Sequence, residues 1–177
     1  MPSEFVNESV AILERTPVVV DSLLRGLAEP WSRVNEGAET WSPFDVVGHY
    51  IHGEKTDWIP RIEIILTHGE QVPFTPFDRF AQFRDSQGKS MVQLLDEFKA
   101  LRKESLKNFA ALNIDDAKLK KTGMHPELGR VTLKNLIASW VVHDLNHLNQ
   151  INRVMAKRYK KELGPWTVYL SIVQDKK

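Results

Sequence analysis

Cysteine is absent from this sequence of 177 residues. The chain therefore can form no disulfide, offers no thiolate to a metal ion and has no cysteine nucleophile. Six histidines remain as possible nitrogen ligands. Any thiol that takes part in the chemistry of this protein must come from a second molecule.

Long apolar runs are also missing. No uninterrupted apolar stretch approaches the roughly 20 residues that a membrane-spanning helix needs. The N-terminus lacks a basic region followed by an apolar core, so no secretory signal is predicted. We therefore expect a soluble, cytoplasmic protein with no membrane partner.

An excess of charge of either sign is lacking too. The chain has 24 Lys and Arg against 23 Asp and Glu, a formal net charge of +1. The one basic cluster, residues 157–161, falls at the end of a predicted helix, where cations suit the helix dipole. Without a basic stripe along one face, we expect no nucleic-acid partner.

Helical periodicity dominates what is present. Apolar residues recur at helical spacing in four long segments. These segments are residues 4–27, 42–67, 91–112 and 132–159. Ser42, Ser90 and Thr132 stand where N-terminal caps are expected. Pro17 should kink the first helix or restart it with Thr16 as cap, and Pro60 should bend the second.

The remaining segments read as connections. Residues 28–41, 69–88 and 113–131 are predicted loops, the second with one helical turn and the third with a short turn, and no segment shows the alternation of a strand. Gly164 and Pro165 should end the bundle, and an apolar tail with Trp166, Tyr169, Leu170 and Ile172 should pack back on it. The predicted fold is a single all-α domain, residues 1–177. It is an up-down four-helix bundle with a long loop between helices 2 and 3 and a C-terminal tail packed on the bundle.

Two histidines interrupt the apolar stripe of the fourth helix. His143 and His147 lie four residues apart, which makes them neighbours on one helix face that points into a core. Two imidazoles so placed can bind one metal ion from successive turns. The alternative is that they are core residues that hydrogen-bond to each other without a metal.

A third ligand is expected from the second helix. His49 and His52 lie three residues apart there, and periodicity does not decide between them. The small Gly53 and the apolar neighbours of His49 favour His49. His68 lies at a helix end and is expected to be exposed. His125 precedes a proline in a loop and is expected to have a turn role.

Two blocks of sequence resemble the DinB-like superfamily of metal-binding four-helix bundles. The first block contains the segments 41–43 (WSP) and 47–49 (VGH), then Glu54, Trp58, Arg61 and Ile62. The second contains the segments 125–129 (HPELG), 132–133 (TL) and 143–147 (HDLNH), with Trp140, Gln150 and Ile151. The segment 164–166 (GPW) is similar to the ending of one branch. The resemblance extends over nearly the whole chain.

This resemblance implies a metal site formed by His49, His143 and His147, and it disfavours His52 as a ligand. It also implies a divalent metal, commonly zinc or nickel, and often a homodimer. Members of the wider superfamily look like S-transferases and isomerases that use bacillithiol, mycothiol or glutathione. A low-molecular-weight thiol is therefore a possible cosubstrate here.

Three nitrogen ligands would leave a coordination position open, as in catalytic rather than structural sites. We therefore expect a metal-dependent enzyme that acts on a small molecule, either a thiol-dependent S-transferase or a hydrolase. Glu54, Asp57 and Gln150 are the candidates for a general base or for a hydrogen bond to a ligand. The alternative function is a non-catalytic, stress-related bundle that binds a metal or another ligand.

Overall fold

The computed structural model describes residues 2–174. This part contains α1 (Glu4–Leu13), α2 (Arg15–Leu24), α3 (Glu29–Arg33), α4 (Pro43–Thr56), α5 (Trp58–Thr67), α6 (Ala81–Asp85), α7 (Met91–Ala111), α8 (Asp116–Leu119), β1 (Thr122–His125), β2 (Gly129–Thr132), α9 (Leu133–Lys157) and two 3₁₀ helices, Gly164–Tyr169 and Ser171–Val173. No helix in it is long and apolar enough to cross a membrane.

The all-α four-helix bundle is confirmed, and proline divides its first two helices. The first consists of α1 and α2, the second of α4 and α5, the third of α7 and the fourth of α9. Pro17 has no N–H for the carbonyl of Leu13, and Arg102 donates to that carbonyl instead, at 2.8 Å. The predicted cap at Thr16 is wrong, because α2 already begins at Arg15.

The predicted helix starts at Ser42, Ser90 and Thr132 are confirmed. Each side chain accepts a hydrogen bond from the backbone N–H three residues later. The side chain at that later position accepts a hydrogen bond from the backbone N–H of the cap residue. These reciprocal bonds satisfy N–H groups that the first helical turn leaves without partners.

The directions of the helices follow from contacts of α4. The ring of Tyr50 stacks on Phe98 of α7 with centroids 4.8 Å apart, and Arg102 of α7, one turn on, binds Glu54. Tyr50 donates a hydrogen bond to the carbonyl of Asp144 on α9. Trp58, at the start of α5, stacks on Trp140, which lies earlier in α9. Helix α4 is therefore parallel to α7 and antiparallel to α9. The long connection 68–90 returns to the end of the bundle where α4 begins. The predicted up-down alternation is therefore wrong between the second and third helices, because a connection of this length can span the bundle.

The prediction that residues 113–131 form a loop with no more than a short turn is wrong. They include α8, β1 and most of β2, and the two strands form an antiparallel hairpin in which His125 pairs with Gly129. Strands of four residues are too short to show alternation in the sequence. Gly123 lets the hairpin approach α5, because a Cβ there would lie 2.7 Å from Ile65. Segment 28–41 likewise contains the short helix α3, and the turn predicted in 69–88 is α6.

The C-terminal tail packs on the bundle through a residue that was not predicted. Val173 is 1% exposed and its 3₁₀ helix lies against α9, whereas Trp166 and Tyr169 are 65% and 83% exposed. The prediction that these two aromatic residues pack back is therefore wrong. Residues three apart share one face of a 3₁₀ helix, and here this face points to solvent.

Candidate metal centre

Three histidines from two helices converge inside the bundle. His49 lies on α4, and His143 and His147 lie on α9. One ring nitrogen from each can be chosen so that all three lie within 4.8 Å of one another. Nε2 of His49 and Nε2 of His143 are 3.0 Å apart. The structure thus brings together the three residues that the resemblance implied.

Local sequence and packing both position this cluster. Helical spacing places His143 and His147 on successive turns of α9. The hydroxyl of Tyr50, next to His49, donates to the carbonyl of Asp144, next to His143, at 2.7 Å. Because this bond joins α4 to α9 beside the cluster, it sets the relative height of the two helices.

Burial keeps the imidazoles of His49 and His147 uncharged at neutral pH. Burial, followed by the nearby His143, lowers the pKa of His49 from 6.5 to about 2. The same two causes, in the same order, lower the pKa of His147 to about 4. A histidine must be neutral to bind a metal, so these side chains are in the state that a ligand requires.

A hydrogen bond orients the ring of His147. Its Nδ1 lies 2.7 Å from Oε1 of Gln150, which can only accept. The ring proton is therefore on Nδ1, and Nε2 keeps its lone pair. The indole of Trp41 stacks on the same ring with an interplanar angle of 10°. Gln150 is thus placed to orient the ring of His147, as hydrogen-bond partners of metal-binding histidines commonly do.

The donor set fits a divalent cation. A hydrogen bond between His49 and His143 satisfies only one pair of rings, whereas a cation would accept a lone pair from all three. Within residues 2–174, Nδ1 of His49 and Nδ1 of His143 are buried without a hydrogen-bond partner. Nδ1 of His143 lies 3.9 Å from the carboxylate of Asp144, which is beyond hydrogen-bond distance.

A cleft of about 340 Å³ opens beside the histidines. Aromatic rings, two arginines, two acids and a fourth histidine line it. The lining includes Trp41, Trp58, Phe77, Arg61, Arg79, Asp57, Glu127 and His125. A molecule of small-substrate size can therefore reach the cluster from this side.

Asp57, a predicted catalytic candidate, lines this cleft. It forms an ion pair with Arg61, in which Oδ1 of Asp57 lies 2.6 Å from Nε of Arg61. The angle between the two groups is too poor for a hydrogen bond. Burial raises the pKa of Asp57, and the charge of Arg61 opposes this shift. Asp57 therefore remains a candidate acid or base.

Glu54, the other acidic candidate, does not line the cleft. Its Oε1 accepts two hydrogen bonds from Arg102, at 2.9 and 2.7 Å. The same guanidinium binds Asp144, and all three side chains are buried. A carboxylate that is held by an arginine outside the cleft is not placed to act on a substrate. The prediction that Glu54 is a candidate general base is therefore wrong.

His52 and Gly53 lie beside the centre rather than in it. The ring of His52 packs against Phe77, which lines the cleft, with centroids 4.9 Å apart. Gly53 was expected to leave room beside His49, but a Cβ there would lie 3.2 Å from Nε1 of Trp58. The indole ring of Trp58 occupies the space beside Gly53 and also lines the cleft.

Sequence reasoning missed most of the cleft walls. Trp41 and Phe77 lie in predicted loops, where helical periodicity carries no information. His125 was correctly given a turn role, yet its place in the cleft depends on a hairpin that was not predicted. The spacing of four residues between Asp57 and Arg61 on one helix predicts their ion pair, but it does not predict their contact with this cleft.

Comparisons with known proteins agree with this geometry. The sequence profile of the DinB superfamily matches residues 12–151. The chain is also similar to a solved structure described as "YfiT from Bacillus subtilis is a probable metal-dependent hydrolase with an unusual four-helix bundle topology". The TM-score is 0.74 at 20% identity, over 89% of this chain and 90% of that one, a likeness of fold. No curated protein matches the chain in sequence.

Proposed function

Because the chain belongs to the DinB superfamily, we propose that it is a metal-dependent enzyme that acts on a small molecule. His49, His143 and His147 are the proposed ligands, and zinc or nickel is the proposed metal. The observation that carries this proposal is the convergence of three ring nitrogens within 4.8 Å at the wall of a cleft.

The chain itself supplies the binding site. A divalent metal, when bound, would act as a Lewis acid and lower the pKa of a water or thiol that it holds. Gln150 orients His147, and the rings of Trp41 and Phe77 shield the histidines from bulk water. Asp57 is the residue of the cleft best placed to accept a proton from the substrate.

Two reaction classes use such a site, hydrolysis and transfer of a small thiol. The description of the neighbouring structure as a probable hydrolase supports the first. The second requires that the thiol arrives as a cosubstrate, since the chain has no cysteine. Both reactions need the metal and the cleft, so one set of variants tests them together.

The decisive experiment begins with the metal content of protein purified without added metal or chelator. We expect close to one zinc or nickel per chain, and loss of this metal in His143→Ala. His68→Ala is the matched control, because His68 is exposed at the end of α5 and should leave metal content unchanged. Wild-type protein without metal, or a His143→Ala variant that retains it, would contradict the proposed site.

Turnover separates the two reaction classes. Metal-loaded protein would be assayed with p-nitrophenyl esters, and with monochlorobimane plus glutathione, bacillithiol or mycothiol. Activity that needs only water indicates a hydrolase, and activity that needs one thiol indicates an S-transferase. In either case it should disappear in His143→Ala and persist in His68→Ala. Stoichiometric metal without any turnover would favour the non-catalytic, stress-related bundle.

A homodimer and a cytoplasmic location complete the proposal. The patch formed by Ile12 of α1 and by Val142 and Leu145 of α9 is exposed and apolar, which supports an interface there. Sedimentation velocity would test the dimer, and a monomer at micromolar concentration would rule it out. The cytoplasmic location is a prediction from the sequence and would be tested by cell fractionation.

A further inference from the structure

His125 occupies the tip of the β1–β2 hairpin, in the wall of the cleft that also contains the three-histidine cluster. Pro126, which follows it, has no N–H. Nδ1 of His125 accepts hydrogen bonds from the next two backbone N–H groups, those of Glu127 at 3.1 Å and Leu128 at 3.2 Å. The ring thus closes the hairpin turn by using one of its two nitrogens.

These two bonds determine where the ring carries its proton. A nitrogen that accepts from two N–H groups must be unprotonated, so Nε2 carries the hydrogen. Burial and the positive charge of Arg61 lower the pKa of His125 and preserve this neutral form. Protonation of Nδ1 would also break both backbone bonds. The ring can therefore donate from Nε2, but it is poorly suited to shuttle protons.

The charges around the ring favour an oxygen ligand. Within residues 2–174, Nε2 of His125 has no hydrogen-bond partner. Arg61 and Arg79 line the same cleft, where Arg61 is paired with Asp57, and Glu127 contributes the other negative charge. With a divalent cation at the three histidines, the cleft carries net positive charge.

We propose that His125 binds the substrate as a fixed hydrogen-bond donor, with its Nε2–H directed to a carbonyl or carboxylate oxygen beside the three-histidine cluster. This inference rests on the proposed function, since it supposes that the cleft holds the substrate. A neutral imidazole donor can stabilise negative charge on such an oxygen without giving up its proton. The substrate class is then a small molecule that bears a carbonyl or carboxylate group.

Two substitutions separate binding from the structural role of the ring. His125→Asn retains an acceptor close to the position of Nδ1, so it can close the turn, but it has no group that reaches the position of Nε2. His125→Gln places an amide N–H near the position of Nε2 and sacrifices the acceptor of the turn. A donor role predicts rescue by glutamine, and a purely structural role predicts rescue by asparagine.

Acetate serves as the probe, titrated into zinc-loaded protein. The ¹⁵N shifts of His125 should show the Nε2–H tautomer, and acetate should move the Nε2 resonance. We expect His125→Asn to bind acetate about tenfold more weakly and His125→Gln to stay within about threefold of wild type. An unmoved resonance, or wild-type affinity in His125→Asn, would overturn the inference.

Zinc content separates this inference from the proposed function. All three proteins should hold one zinc per chain, because His125 is not a proposed ligand. If wild-type protein binds no zinc, the proposed function fails, and the titration is repeated on the metal-free protein. His125 and Arg61 remain in place there, so acetate should still move the Nε2 resonance at higher concentration. Absence of this shift would count against His125 itself.

Discussion

At the scale of single residues, the environment of each imidazole decides its chemistry. An exposed histidine titrates near pH 6.5 and spends part of its time as a cation that cannot bind metal. Burial lowers the pKa of His49 to about 2 and that of His147 to about 4, so both stay neutral. The same chemical group closes a turn at His125, because there two backbone N–H groups face it.

The bond between Gln150 and His147 gives a prediction at this scale. In Gln150→Ala, Nδ1 of His147 loses its acceptor, and the ring is free to rotate or to change tautomer. We expect the affinity for zinc to fall about tenfold or more, as measured by competition with a chromogenic chelator. Asn149→Ala, at the exposed neighbouring position, is the control. Equal affinities in the two variants would show that the bond does not support the site.

At the scale of elements, one guanidinium joins four helices. Arg102 on α7 donates to the carbonyl of Leu13 at the end of α1, to Glu54 on α4 and to Asp144 on α9. Two buried carboxylates share this single cation, and it lowers the pKa of Asp144. Asp144 and Glu54 lie on the helices that carry the three histidines, so this network holds α4 and α9 in the relative position that brings the histidines together.

Arg102→Leu tests the network. The substitution leaves two buried carboxylates without their cation, so we expect the free energy of unfolding to fall by about 3–5 kcal/mol at neutral pH. Urea denaturation measures this loss. Lys103→Leu, at the exposed next residue, should change stability little. A small loss in Arg102→Leu would mean that the carboxylates find other partners.

The pH dependence of the same variant has a definite sign. In wild type the pKa of Asp144 is lowered, so its contribution to stability is present above about pH 4, the unfolded pKa, and is lost as pH falls further. Without Arg102, burial should raise the pKa of Asp144, whose carboxyl can then become neutral in mildly acidic solution. The deficit of Arg102→Leu should therefore be smaller at pH 5 than at pH 7.5. A constant deficit would contradict the electrostatic explanation.

At the scale of the whole molecule, the centre lies between two apolar clusters. Trp58 and Trp140 belong to one cluster, and Tyr50 and Ile151 belong to the other. The histidines interrupt the apolar face of α9 between Trp140 and Ile151. A metal bound there would connect α4 to α9 at the junction of the two clusters, so its removal should affect the stability of the whole bundle.

Chelation gives the prediction at this scale. A ligand that binds the folded state at 100 times its Kd adds about 2.7 kcal/mol to stability. For a chain of this size, this corresponds to a Tm shift of roughly 5–10 °C. EDTA should therefore lower the Tm of metal-loaded wild-type protein by this amount and leave His143→Ala unchanged. Calorimetry measures both. Equal shifts in the two proteins would place the stabilising metal elsewhere.

The sequence by itself determined the four long helical segments, the caps of three of them and the pairing of His143 with His147. These features depend on neighbours within one or two helical turns, and such neighbours are visible as periodicity and as short capping motifs. Spacing left His49 and His52 open; the small Gly53 and the apolar neighbours of His49 favoured His49, and the resemblance to a family supported the same choice. The tail and the hairpin were misjudged because their packing is set by distant residues.

Only the tertiary structure decided the walls of the cleft, the Arg102 network and the position of His125. Arg102 lies 48 residues from Glu54 and 42 from Asp144, and no local pattern connects them. A charged residue on a helix looks the same in sequence whether it faces solvent or two buried carboxylates. Which of these occurs depends on how the helices pack, because burial and charge pairing are properties of the assembled bundle rather than of the chain.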